Sequence, residues 1–295
     1  MKNLAEALHT TRMTAWAQSS EKDRSTAKAT KVINLVGMDF PLTHLDQATL
    51  DRLYAQVVEM DVKDTTKRSY LMAFSRVLKT AKEYEAVPQN LKLRTIKVDN
   101  DRHRVLSKDE EERILLALTR IPFARETSRT IALTATEFLL ETGLRIGELW
   151  ALRPDDRITV DTHLGPREAV RVRKGKGRKF RVVPLNQRAI DAWDTMIMVG
   201  SKCSSVPRLW GQMKVAHSNY WRWFKVAKHF ANIQDETLVP HSLRHTFATR
   251  YLNRGGRIEV LQKILGHSTI GQTTHYGRLN PEGVVGGYFS LRQDE

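Results

Sequence analysis

PHSLRHTFATRYLNRGGRIEVLQKILGHSTIGQTTHYGRL, residues 240–279, carries helix signals one after another. Pro240 sets the chain direction at a helix start, where Ser242 or His241 is placed to cap the first turn. Leu243, Phe247 and Tyr251 then recur at i, i+4 and i+8 with Ala248 and Leu252 beside them, which predicts one buried stripe. Gly255-Gly256 ends that helix. Ile258, Leu261, Ile264 and Leu265 predict a second, shorter apolar helix closed by Gly266, so that His267 is held on a tight turn and Ser268 stands ready to cap the next helix. His241 and Arg244 are three residues apart and share a helix face. His267 follows Arg244 by 23 residues and Tyr276 follows nine later. All four are polar groups beside apolar stripes, and convergence on one pocket is the expectation.

Moving toward the N-terminus, residues 186–232 read as helix again. Trp210, Tyr220, Trp221, Trp223 and Phe224 alternate there with Arg222, Lys225 and Lys228. Such aromatics either stack on bases or fill a core, and helical spacing turns several of them inward. Residues 157–185 change character: Ile158-Thr159-Val160, Ala169 to Val172 and Phe180 to Val183 are short β-rich runs. Gly175-Lys176-Gly177 is the turn between the last two. From Arg171 to Arg181 there are seven basic residues and no acid. That fits a hairpin probing an anionic groove, or an edge charged against strand pairing. Leu144-Arg145-Ile146-Gly147-Glu148-Leu149 opens a helix, with Arg145 in its first turn beside amide groups suited to an anion. Glu148, three residues on, is placed to pair with Arg145 and brace it. A helix over 128–141 and another beginning at Ser107-Lys108-Asp109-Glu110 precede it.

Residues 88–105 show no periodicity, and a linker over 91–105 divides the chain into a helical domain, 1–90, and a larger domain, 106–295. Leu50, Leu53, Val57, Leu71, Phe74 and Leu78 mark buried helix faces in the first domain. Lys67, Arg68 and Arg76, with Lys79 and Lys82, lie on the remaining faces, as a solvated surface or as contacts to a phosphate backbone. The fold class expected is mainly α with a small antiparallel β-sheet.

The 295 residues hold 48 Lys and Arg against 33 Asp and Glu, a net charge of +15. Residues 1–90 contribute 13 basic and 11 acidic side chains, so the excess belongs to the larger domain. A surplus of this size predicts a polyanionic partner, nucleic acid first. The single cysteine, Cys203, excludes an intrachain disulfide, suits a reducing compartment and reads as a core residue. No run approaches membrane length and the N-terminus lacks a signal-type apolar segment, so a cytoplasmic protein is expected.

Taken together, TGLRIGEL around Arg145, GKGRKFRVVPL around Lys176, HSLRH, LGHS and TTHYGRL resemble the tyrosine site-specific recombinases, the phage integrase and Xer-like enzymes, in order and in gaps. The motifs span residues 142–279. The resemblance implies that Tyr276 attacks a DNA phosphate to form a 3′-phosphotyrosyl link. Arg145 and Arg244 would hold the non-bridging oxygens, His241 and His267 would assist, and Lys176 would protonate the leaving 5′-oxygen. Lys174 and Lys179 are alternatives for that last role, and Tyr251 is an alternative tyrosine on the apolar stripe. Arg173, Lys174, Arg178 and Lys179 would contact DNA. The physics asks for such a set: a free tyrosine is about one part in a thousand ionised at neutral pH, and it needs a base or a positive field to attack. Fixed guanidiniums stabilise the charge that develops. No metal and no cofactor is expected, since no acidic cluster accompanies these residues and no cysteine partners the histidines. The resemblance further implies a two-domain clamp on double-stranded DNA and a homotetramer on two DNA sites. Its C-terminal tail, with Val284, Val285, Tyr288, Phe289 and Leu291, would dock on a neighbour or pack back on its own domain. A type IB topoisomerase and a non-catalytic DNA-binding regulator are the other readings.

Overall fold

The structure, a computed structural model, describes residues 1–98, 104–173, 180–201 and 213–278. The chain forms two compact units, Met1–Asp101 and Arg102–Glu295. Among the described residues no helix is long and apolar enough to cross a membrane.

The first unit is helical: α1 (Leu4–Met13), α2 (Lys22–Ile33), α3 (Gln47–Glu59) and α4 (Asp64–Glu83). Leu71, Phe74 and Leu78 place one stripe of α4 inward, where α1, α2 and α3 pack on it, with Leu8, Val32, Leu50 and Leu53 completing the core. Asp46 caps α3 by accepting the Thr49 N–H at 2.8 Å, and hydrogen bonding from the Thr49 side chain, then from that N–H, holds its carboxyl below the usual range. Lys63 is the cap residue of α4 and Asp64 lies in the first turn, where an acid complements the helix dipole. Val87 and Leu91 are buried in this unit and Leu93 and Ile96 pack against its core.

The second unit holds α5 (Lys108–Arg120), α6 (Glu126–Thr142), α7 (Ile146–Leu149), β1 (Arg157–Thr162), β2 (Gly165–Arg173), β3 (Phe180–Pro184), α8 (Gln187–Ser201), α9 (Met213–Phe230), α10 (Pro240–Asn253), α11 (Ile258–Leu265) and α12 (Gly271–Arg278). The strands form an antiparallel sheet in the order β1-β2-β3, with Arg157 opposite Val170 and Val170 opposite Val183. Alternation turns Val170, Val172 and Val183 into the core, where Phe138, Trp150, Trp193, Tyr220, Phe224 and Leu243 meet them. Tyr220 and Phe224 thus fill the core, whereas Trp221 is exposed. Ser107 and Glu110 cap α5 reciprocally, at 3.1 and 3.0 Å.

Two helices end on glycines that neighbouring side chains approach closely. Gly143 ends α6 with φ +63°, and a Cβ there would lie 2.4 Å from Phe247 Cδ1. Gly266 ends α11 with φ +68°, and its Cβ would lie 2.9 Å from Arg181 Cδ. Lys174, Lys176, Arg178 and Lys179, Cys203, Trp210 and the tail from Leu279 onward lie outside the described residues, as does the turn expected at Gly175-Lys176-Gly177.

Candidate active site

The site is assembled around α10. Pro240 occupies its first turn, and the Val239 N–H donates to Ser242 Oγ at 3.2 Å, so Ser242 serves the helix start from inside the helix. His241, Arg244 and His245 project from one face at i, i+3 and i+4.

Arg244 is 2% exposed. Its Nη1 donates to the Gly143 carbonyl at 2.8 Å and its Nη2 to the Leu265 carbonyl at 2.6 Å. Both carbonyls come from helix C-termini, where the partial charge is negative and otherwise unsatisfied. Burial, then repulsion from Arg145, pulls the Arg244 pKa down to about 10, while Glu148 opposes the fall. The group therefore remains charged at neutral pH.

His267 sits on the turn after α11. Its Nε2 lies 3.0 Å from Arg244 Nη2, and because a guanidinium only donates, Nε2 is the acceptor. The proton is then on Nδ1, 2.9 Å from Thr273 Oγ1. Burial and the charges of Arg244, Arg145 and Arg181 lower its pKa to about 4, so the ring is neutral at pH 7.

Arg145 caps α7. Its backbone N–H donates to Glu148 Oε2 at 2.8 Å and its exposed guanidinium to Oε1 at 3.0 Å. Glu148 also accepts a bidentate pair from Arg181, at 2.8 and 2.7 Å, and Arg181 Nε donates to the Ile264 carbonyl at 2.6 Å. Burial alone would raise the Glu148 pKa. The bonds and charges of Arg181 and Arg145 outweigh it and hold the group at about 2. Glu148 is thus the brace that the motif spacing led one to expect, and Arg181 is the second arm of that brace.

Tyr276, on α12, is 3% exposed and packs with Ala248, Leu261 and Leu265. Its ring lies parallel to His267, centroids 6.2 Å apart, and its Oη is 3.1 Å from His245 Nδ1. Burial raises its pKa, while the charge and hydrogen bonding of Arg244 and the charge of Arg145 oppose the rise. The phenol is protonated at rest, inside a field that favours its anion. His241 is exposed, edge-on to His245 with centroids 4.7 Å apart. Tyr251 stacks instead on Phe247, at 6.3 Å.

Arg145, His241, Arg244, His267 and Tyr276 are therefore neighbours in one site. Among the other cations, Arg173 pairs with buried Asp156 at 2.8 Å. Lys67 donates to the Val58 carbonyl at 2.7 Å, Arg76 lies 3.5 Å from Glu83, and Arg68 is half-buried. The sequence reading missed Arg181, His245 and Thr273. His245 had a signal, its i+4 spacing from His241, and Thr273 had another, three residues before Tyr276. Among the described residues no group of three or more His, Cys, Asp or Glu side chains is placed to hold a metal ion.

Comparison with known proteins places these features in a wider set. The family model described as "Phage integrase family" matches residues 104–282. The chain is 27% identical over 263 residues to Tyrosine recombinase XerD of Vibrio vulnificus (strain YJ016), covering 82% of this chain and 79% of that one. It is 32% identical over 195 residues to Tyrosine recombinase XerA of Thermococcus kodakarensis, covering 65% and 64%. Among solved structures, XerH site-specific recombinase bound to palindromic difH substrate, a post-cleavage complex, superposes with a TM-score of 0.71 at 18% identity over 95% of this chain and 82% of that one, a likeness of fold.

Proposed function

The chain belongs to the phage integrase family of tyrosine site-specific recombinases, enzymes that break and rejoin DNA strands, and from that premise we propose that Tyr276 is its nucleophile. The observation that carries this reading is the placement of the Tyr276 hydroxyl against His245, with its ring on His267 and within the field of Arg244 and Arg145. The scissile phosphate is held by Arg244 from within and by the exposed guanidinium of Arg145 from the open side. Glu148 and Arg181 fix the position of Arg145. Attack by Tyr276 Oη forms a 3′-phosphotyrosyl ester and releases a 5′-oxygen, which Lys176 protonates. The ester keeps the energy of the broken bond, so a 5′-hydroxyl from a second duplex rejoins the strand without ATP. An anion bound beside His267 offsets the cations that keep it neutral. It thereby allows Nε2 to carry a proton toward a phosphoryl oxygen.

The first unit acts in this scheme as the core-binding domain, with phosphate contacts from Lys67, Arg68 and Arg76. Lys67 is already committed to Val58 and Asp64, which makes Arg68 the better placed of the three. The larger unit contributes Lys174, Arg178 and Lys179, Arg173 being committed to Asp156. The two units act as a clamp on double-stranded DNA. A homotetramer joins two sites in the cytoplasm, each C-terminal tail docking on a neighbour, in the service of a mobile genetic element. The family relationships favour neither a topoisomerase nor a regulator. Incubation with a nicked suicide substrate tests the central step: the wild type accumulates a covalent protein–DNA adduct and Tyr276→Phe does not. A wild type that binds the site yet forms no adduct overturns the reading.

A further inference from the structure

The contact between Tyr276 Oη and His245 Nδ1 joins two buried side chains, and it falls on the atom that must lose a proton. We propose that His245 is a further catalytic residue, the base that takes the phenolic proton as Tyr276 attacks, a role that rests on Tyr276 being the nucleophile. The O–H bond of Tyr276 breaks and its proton passes to His245 Nδ1. The Oη–P bond forms, the P–O5′ bond breaks, and the leaving O5′ takes a proton from the acid on the other side of the phosphate. Rejoining runs the same transfers backward and returns the proton to Tyr276.

The surroundings single out His245. His267 has its Nε2 lone pair on Arg244 and its Nδ1 on Thr273. Guanidiniums accept no proton at neutral pH. His241 is exposed and meets the ring of His245 edge-on. Among the described residues, the titratable and charged groups facing the pair include His241 and Arg244 on α10, His267 on the turn before α12, and Arg145 at the start of α7. The two guanidiniums stabilise a phenolate oxygen as it forms, and the imidazole next to it gives the departing proton a place to go. A hydrogen-bonded imidazole is the usual partner for this transfer.

Asparagine tests the role because its amide reaches the same δ position, so it holds Tyr276 without accepting a proton. The readout is single-turnover adduct formation by the full chain on a suicide substrate, across about pH 6 to 9.5. In His245→Asn the rate should fall by about 10²-fold or more and keep rising with pH where the wild type has levelled. A substrate with sulfur at the 5′-bridging position has a leaving group that needs no proton, and the loss should persist on it. A rate within about threefold of wild type, an unchanged pH profile, or recovery on the sulfur substrate each overturns the base role. A second measurement needs no variant: nitrogen NMR of the wild-type histidines should find His245 Nδ1 without a proton, and an Nδ1–H overturns the proposal. Failure of the parent reading looks different, since it shows as a wild type without an adduct or as an adduct that survives Tyr276→Phe.

Discussion

At the residue scale, the site is a problem in keeping charge where water cannot reach it. Arg244 solves it with two helix-end carbonyls, and His267 with a ring that stays neutral among three cations. The histidine ties stability to pH. Its folded pKa, near 4, lies below the ordinary 6.5, so between those values the unfolded chain binds a proton that the folded chain refuses. That stability is complete above pH 6.5 and is lost as the pH falls to 4. Glu148, lowered from 4.5 to about 2, adds a second loss below pH 4.5. Urea titrations should show the midpoint falling from pH 6.5 downward, and His267→Gln should flatten the upper part of that slope while leaving the lower part. An unchanged upper slope in His267→Gln would place the titrating group elsewhere. Arg145, Arg244, His267 and Tyr276 were legible because the motifs that hold them resemble those of a known family in order and in gaps. Arg181 was not: in a run of seven cations, composition does not mark the one whose side chain turns inward to meet an acid 33 residues earlier.

Helices and strands were the more legible scale. Ser107 with Glu110, Asp46, Gly143 and Gly266 mark real ends, because each side chain or φ angle satisfies groups that a helix leaves open. The three β-rich runs became three paired strands, since valines at alternate positions can bury only one face. How the elements lock together was hidden. Arg181 on β3 reaches Glu148 on α7 and the Ile264 carbonyl on α11, so a single side chain ties three chain segments that each carry part of the site. Arg181→Met should strand the partly buried Glu148 and cost about 3 kcal/mol in denaturant unfolding. It should also slow adduct formation by letting Arg145 and His267 drift. A stability change under about 1 kcal/mol would show the pair to be incidental.

For the molecule as a whole, the net charge of +15 and its concentration in the larger unit stated the partner before any motif did. What composition withholds is which cations are spent internally, as Arg173 is on Asp156 and Lys67 on Val58. Counterion release makes binding to duplex DNA steeply salt-dependent. With several phosphate contacts the affinity, followed by fluorescence anisotropy, should fall by about 10³-fold or more between 50 and 200 mM salt. A change of less than about tenfold would contradict an interface built on phosphate charge. The claim on which the rest turns is that the phenolic oxygen of Tyr276 carries the DNA strand. Trypsin cuts after Lys263 and Arg278, so the adduct, digested with nuclease and protease and analysed by mass spectrometry, reports on one peptide, residues 264–278. The expected result is a nucleotide phosphate on that peptide, fragmenting at Tyr276. The same mass on the peptide holding Tyr251, or on any other residue, would contradict it.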